Sequence, residues 1–205
     1  MTELFALLRH SLAGLRVLLA ATVVCGIAYP LAVTGIAQGV LPWRAEGSLV
    51  TAAGAHTTDP GAAVGSVLLG QRSSDAGFFV PRPSAAGDDG YDPLSTSGSN
   101  LGPESSELVA DIRARRAEVA EREGVRPDQV PADAVTASAS GLDPDISPAY
   151  AALQVPRVAR AAGLPTAQVA ALVTEHTDGR SLGVLGSGHV NVLLLNLAVR
   201  EAAGG

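Results

Sequence analysis

"VLLAATVVCGIAYPLAVTGI", Val17 to Ile36, runs for twenty positions without a charged side chain. At helical rise that length matches the hydrocarbon core of a bilayer, roughly 30 Å thick. A cleaved secretory leader has an apolar centre of only about 7 to 15 residues and ends at a small-residue A-x-A-like site. This run is longer and no such site follows it, so a retained membrane anchor is expected. Pro30 lies inside the span and predicts a kink, which membrane helices tolerate because neighbours satisfy the freed carbonyl. Near the end, "GIAQG" places Gly35 and Gly39 four apart, a spacing that lets a second helix approach closely. Those two glycines are the candidate docking positions. Cys25, the sole cysteine, also falls in the run; it rules out an internal disulfide and a cysteine zinc site and reads as a buried, inert thiol.

Charge flanking the span sets its expected direction. Arg9 and Arg16 precede it and Arg44 alone follows, and cytoplasmic flanks favour arginine. The expected layout is a cytoplasmic amino terminus (1–11), a transmembrane helix (12–40), a soluble extracytoplasmic domain (41–200) and a disordered "EAAGG" tail (201–205). The localisation implied is a plasma or inner membrane, crossed once. Trp43 stands where an interface anchor would sit.

Composition removes several functions. The chain has 205 residues, 14 basic ones that are all arginine, and a net charge of -6. Without lysine there is no Walker A phosphate lysine and no Schiff-base amine. The acidic balance argues against nucleic acid, whose phosphates favour a basic stripe. Aromatic residues make up only 3%, so the core must be built from many small side chains.

Beyond Trp43, "GSLVTAAG" and "AAVGSVLLG" are short, apolar and glycine-bounded, as strands are. Residues 81–103, "PRPSAAGDDGYDPLSTSGSNLGP", are mostly Gly, Pro, Ser and Asp: either a flexible linker or an ordered strap held by backbone hydrogen bonds. A helix is expected from Glu104, with Leu108, Ile112 and Val119 on one face and Gly124 as its stop. Its charged run "RARRAEVAERE" reads as a solvated face. Further helices are expected after Ser147-Pro148 and after Pro165-Thr166, the latter burying Val169, Leu172 and Val173. "VNVLLLNLAV" (190–199) is apolar enough for a central strand or a buried helix. The fold class is α+β: one amino-terminal transmembrane helix, then a small domain with a short mixed sheet and about three helices.

Several patterns resemble catalytic or metal sites. "GRSLG" (179–183) fits a G-x-S-x-G nucleophile elbow centred on Ser181, but the elbow needs a strand before and a helix after. A helix before and a glycine-rich turn after are expected here. His56, His176 and His189 are too scattered for a local zinc signature. Asp143, Asp145 and Ser147 imitate the first ligands of an EF-hand loop, yet Pro148 replaces its glycine and Gln154 its bidentate glutamate. In "VTASASGLDPDISP" (135–148), Ser147 as N-cap with Pro148 after it makes a strong helix start. Gly141 permits the turn before it, and Asp143 and Asp145 would repel an anion held there.

Six stretches taken in order, "GQ" (70–71), "GFFVPRPSA" (77–85), "SGSNLGP" (97–103), "VPADAVTASASGLDPDISP" (130–148), "QVPRVA" (154–159) and "VNVLLLNLA" (190–198), resemble the KdpC family, the C subunit of the bacterial high-affinity potassium-transporting ATPase. The chain departs from the family where Leu-Asp usually ends the last stretch, having Val199-Arg200 instead. The resemblance implies a non-catalytic accessory subunit with no cofactor or metal of its own, held beside a potassium channel-like subunit, a P-type ATPase subunit and a small single-helix subunit. It also implies a catalytic chaperone that raises the ATPase subunit's affinity for ATP, while ATP, Mg and K belong to the complex. Direct ATP binding by the soluble domain requires a cytoplasmic placement, through Gln71 or the Gly98 loop. Candidate partner-contact or loop-shaping residues are Gly35, Gly39, Gln71, Arg82, Ser84, Asn100, Ser140, Gly141 and Asp143. The alternatives are an anchored serine hydrolase using Ser181, with His176 or His189 as base, and an anchored nucleotide-binding module.

Overall fold

A computed structural model describes residues 2–73 and 75–204. The chain divides after Ser48 into two compact units. The first is helical: α1 (Thr2–Val23), a π-helical stretch (Val24–Ala28), α2 (Tyr29–Val40) and the short α3 (Pro42–Ala45). Proline inside a helix lacks the amide donor and presses its ring on the carbonyl four residues back. For Pro30 that residue is Gly26, which lies within the π stretch. The widened turn absorbs the clash, so the expected kink takes the form of a π-bulge. Continuous helix from Glu3 to Val40 spans 38 residues and reaches a mean hydropathy of 2.1 over 18 of them, long and apolar enough to cross a membrane. Cys25 is free and exposed on its surface, which corrects the expectation of a thiol buried within the protein.

The second unit opens with β1 (Leu49–Thr51), β2 (His56–Thr57) and β3 (Ala63–Ser66), an antiparallel sheet in the order β2-β1-β3. β1 and β3 fall in the two apolar glycine-bounded stretches read from sequence, and β2 lies between them, where no strand was expected. Next comes α4 (Ser106–Glu123), whose N-cap Ser105 accepts a hydrogen bond from the Leu108 amide at 3.3 Å. Gly124 closes it at φ 70°. β4 (Asp145–Ile146) leads into α5 (Pro148–Ala162), started by the Ser147 hydroxyl accepting from Tyr150 N at 3.0 Å. Then follow α6 (Thr166–Glu175), β5 (Thr177–Asp178), β6 (His189–Asn191) and α7 (Val192–Ala202). The second sheet is antiparallel in the order β4-β6-β5. The class is α+β.

Three expectations change. The stretch 190–199 is neither one strand nor one helix: β6 passes into α7 at Asn191, whose side chain accepts from Leu194 N and so starts the helix. Among its described residues the domain thus carries four helices of ten residues or more, one beyond the three or so expected. The tail is not disordered up to Gly204, because α7 continues to Ala202; Gly205 lies outside the described residues. Val199 is 1% exposed and ties down the last turn, and the Arg200 guanidinium donates to the Ala52 carbonyl at 2.8 Å.

The core is assembled mostly from valine and alanine, with Phe79, Ile146, Tyr150 and Leu195 as its large members. Val158, Val169 and Val190 are fully buried among them. Phe79 comes from a segment with no helix or strand. What holds that segment in place leads to the site.

Candidate functional site

Irregular backbone in a core must have its amides and carbonyls satisfied by side chains. At Phe79 the Asn196 amide on α7 performs this, accepting from Phe79 N at 2.7 Å and donating to Phe79 O at 3.0 Å. One residue on, Gln154 of α5 repeats the arrangement, accepting from Val80 N at 2.8 Å and donating to Val80 O at 3.1 Å. Two side-chain amides therefore pair with this stretch as neighbouring strands would. Arg157, one turn after Gln154, donates to the carbonyls of Ala76 (2.6 Å) and Phe78 (3.0 Å), to Gln154 Oε1 (2.8 Å), and to both Glu123 oxygens. The Glu123 side chain is fully buried, and Arg122 Nε also donates to it, at 2.8 Å. So the last turn of α4 is not a solvated face: Glu123 points inward because two guanidiniums await it there.

This anchor launches residues 81–103, which form an ordered strap. The Arg82 guanidinium pairs with Asp143 at 2.7 Å. Ser84 Oγ donates to the Gly141 carbonyl at 2.7 Å and accepts from Ala86 N and Tyr91 N. Tyr91 OH donates to the Arg82 carbonyl, and the Ser138 amide donates to the Pro83 carbonyl at 3.0 Å. Gly141 sits at φ 72°, and a Cβ there would meet Ala86 Cβ at 2.5 Å and the Ser97 carbonyl at 2.7 Å. Gly98 is equally pinned, its Cβ direction lying 2.9 Å from the Ala139 carbonyl. Glycine at both positions lets strap and loop 137–143 lie backbone to backbone. The structure thus brings Arg82, Ser84, Gly141 and Asp143 into one contact.

The other candidates are placed apart from that contact or at its margin. Ser140 Oγ accepts from Leu142 N at 3.1 Å and lies 3.2 Å from Ser138 Oγ, shaping the loop from inside. Asn100 is exposed at φ 53°. Gln71 packs over the bare backbone of Gly65, where any Cβ would collide with it, and its Nε2 is buried without a partner. Gly35 and Gly39 have nothing near their missing Cβ atoms. Sequence reading missed Glu123, Gln154, Arg157 and Asn196. The usable signal was Gln and Arg three apart in a helix that is otherwise apolar but for Arg160 near its end.

Burial tunes the groups around this contact. It pushes the Tyr91 hydroxyl far above the ordinary tyrosine range, and that of Tyr150 upward against the opposing charge of Arg122. For Arg122 burial pulls downward, but the hydrogen bond and charge of Glu123, with Tyr150, hold its pKa above the ordinary value. Asp145 is raised by burial against the opposing charge of His189, whose Nε2 lies 3.7 Å away. Asp143 and Asp145 do not form a loop for a cation: Asp143 is paired with Arg82 and accepts from the Asp145 amide. Ser181 lies exposed at a turn, bridged to Leu185. β5 precedes it, not a helix as expected, but no helix follows before β6, so the elbow context is absent. Among the described residues no group of three or more His, Cys, Asp or Glu is placed to hold a metal ion.

These stretches are the ones that carried the family resemblance, and comparison with known proteins agrees. The pattern defining the family described as "KdpC: K+-transporting ATPase, c chain" matches residues 11–201. The chain belongs to the KdpC family. A potassium-transporting ATPase KdpC subunit of Kineococcus radiotolerans is 52% identical over 197 residues, 96% of each chain. That of Nitratidesulfovibrio vulgaris is 50% identical over 202 residues, 98% of each. The KdpC subunit of Gemmatimonas aurantiaca is 50% identical over 193 residues, 94% of this chain and 93% of that one. As a KdpC chain it is an accessory subunit of a potassium-transporting ATPase, with the ATP-hydrolysing step carried by a partner.

Proposed function

We propose that this KdpC chain is a single-pass membrane subunit that assembles with and stabilises the channel-like, P-type ATPase and small single-helix subunits of the complex, and acts as a catalytic chaperone raising the ATPase subunit's affinity for ATP. One observation carries the assembly role: the ordered strap 81–103, held in shape through Arg82, Ser84 and Tyr91. A surface built that way suits recognition, since it is ordered before a partner arrives and loses little entropy on binding. The helix through Glu3–Val40, with Gly35 and Gly39 free of neighbours, supplies the face for helix docking.

The arginine bias of Arg9 and Arg16 over Arg44 supports a cytoplasmic amino terminus and an external domain. In that placement the domain does not touch ATP. Its effect on nucleotide affinity is then a coupling free energy transmitted through the partners' conformations.

The test is ATP titration of the potassium-stimulated hydrolysis of the purified complex, with and without this subunit, together with a reporter fused after Gly205 that is active only outside the cytoplasm. The expected results are a several-fold higher KM for ATP without the subunit, and an active reporter. An unchanged KM overturns the chaperone role, and an inactive reporter whose cytoplasmic counterpart works overturns the placement.

A further inference from the structure

The strap and α4 enclose a cavity of about 450 Å³ whose chemistry the assembly role does not use. Arg72, Arg82, Arg115 and Arg122 all line it, although the chain as a whole is acidic. Three of the four hold a carboxylate, Arg82 that of Asp143, Arg115 that of Asp111 and Arg122 that of Glu123, and each donates a second nitrogen elsewhere, to the Thr136 carbonyl, the Val135 carbonyl and the Tyr150 hydroxyl. Arg72 forms no ion pair among the described residues. Asp89 and Glu118 share the wall, yet neither pairs within 4 Å with any of the four guanidiniums.

Two donors in this wall are left unused. Arg82 Nε is buried and has no hydrogen-bond partner, and neither does the buried Ser73 Oγ. A buried N–H of a charged group left unbonded is costly, and natural structures leave few such groups unsatisfied. Both atoms belong to residues that line the cavity.

We propose that this cavity is a binding site for a phosphoryl group, presented as free phosphate or as the headgroup of a phosphomonoester lipid. Guanidinium donors arriving from several walls suit the several oxygens of a tetrahedral dianion better than the two coplanar oxygens of a carboxylate. The volume exceeds that of orthophosphate alone, leaving room for an esterified substituent beside the Tyr91 and Tyr150 side chains, which also line it.

The experiment is calorimetric titration of the full chain in neutral detergent with inorganic phosphate, against chloride at equal ionic strength. Saturable binding of phosphate and none of chloride is expected. Arg82→Lys keeps a cation for Asp143 but has no Nε donor, and Arg72→Gln removes a guanidinium that has no ion pair among the described residues. Each is expected to weaken phosphate binding at least about tenfold, the scale of one charge-assisted hydrogen bond, with an unchanged melting temperature for Arg72→Gln. Chloride binding as tight as phosphate, no saturable phosphate binding, or full affinity in both variants overturns the site. Glycerol 3-phosphate in a parallel titration separates the sources. Tighter binding than orthophosphate assigns the site to an esterified headgroup, and equal or weaker binding assigns it to free phosphate.

Discussion

Gly141→Ala tests whether the strap is held by close backbone contact. The residue sits at φ 72°, and its Cβ would lie 2.5 Å from Ala86 Cβ, 2.7 Å from the Ser97 carbonyl and 2.8 Å from the Ala86 amide nitrogen. Two of those three atoms are backbone and cannot rotate away. The left-handed conformation costs an L-residue about 1–2 kcal/mol, and forced overpacking adds about 1–3 kcal/mol. Gly163→Ala is the matched control: it has nearly the same φ, 69°, but nothing within 4 Å of its Cβ. It carries the conformational cost alone, about 1–2 kcal/mol. At about 2–4 °C per kcal/mol for a chain of this size, Gly141→Ala should lower the melting temperature by about 4–20 °C and Gly163→Ala by about 2–8 °C. The assay is thermal unfolding of the full chain in detergent, followed by near-UV circular dichroism of the tyrosines. Equal losses in the two variants would refute close packing between strap and loop 137–143.

Other perturbations address the remaining parts. Asn196→Leu removes both hydrogen bonds to buried Phe79 and should cost about 2–4 kcal/mol in denaturant unfolding, with loss of protection from hydrogen exchange around Phe79. Burial raises the Asp145 pKa above its ordinary 3.8, so its charged form is less favoured in the folded state than in the unfolded one. Asp145→Asn should therefore raise the melting temperature at neutral pH, by an amount that shrinks as pH falls through the folded pKa toward 3.8 and below. Gly35→Leu with Gly39→Leu should leave the chain inserted and folded yet reduce co-purification with the other subunits about tenfold or more, the loss expected when close helix approach is blocked. Ser181→Ala should change neither melting temperature nor the ATPase rate of the complex, since that hydroxyl is exposed on a turn.

What could be read from sequence follows how local the determining physics is. The cap at Ser147, the stop at Gly124, and the buried positions Val119, Val169 and Val173 are set within one or two turns and appear where expected, while α4 starts at Ser106, two residues after the expected Glu104. The apolar span was equally legible, because twenty uncharged positions need no partner to define them. The π stretch was not: Pro30 announced a disturbance, but whether the helix bends or widens depends on how the carbonyl of Gly26 is relieved. The strap lay further beyond reach. Its composition matches a linker because its order comes from elsewhere: from the anchor at 76–80, held by Gln154, Arg157 and Asn196 across 74 to 117 residues, and from Gly141 and Asp143 beyond it. Asn196 illustrates the difficulty. In "VNVLLLNLAV" it interrupts an apolar run and reads as a flaw in either period, yet it is the donor and acceptor that lets Phe79 enter the core without a strand beside it. A polar residue inside an apolar helix face is therefore a question about some distant backbone, one that a single chain's local pattern poses and only the assembled fold answers.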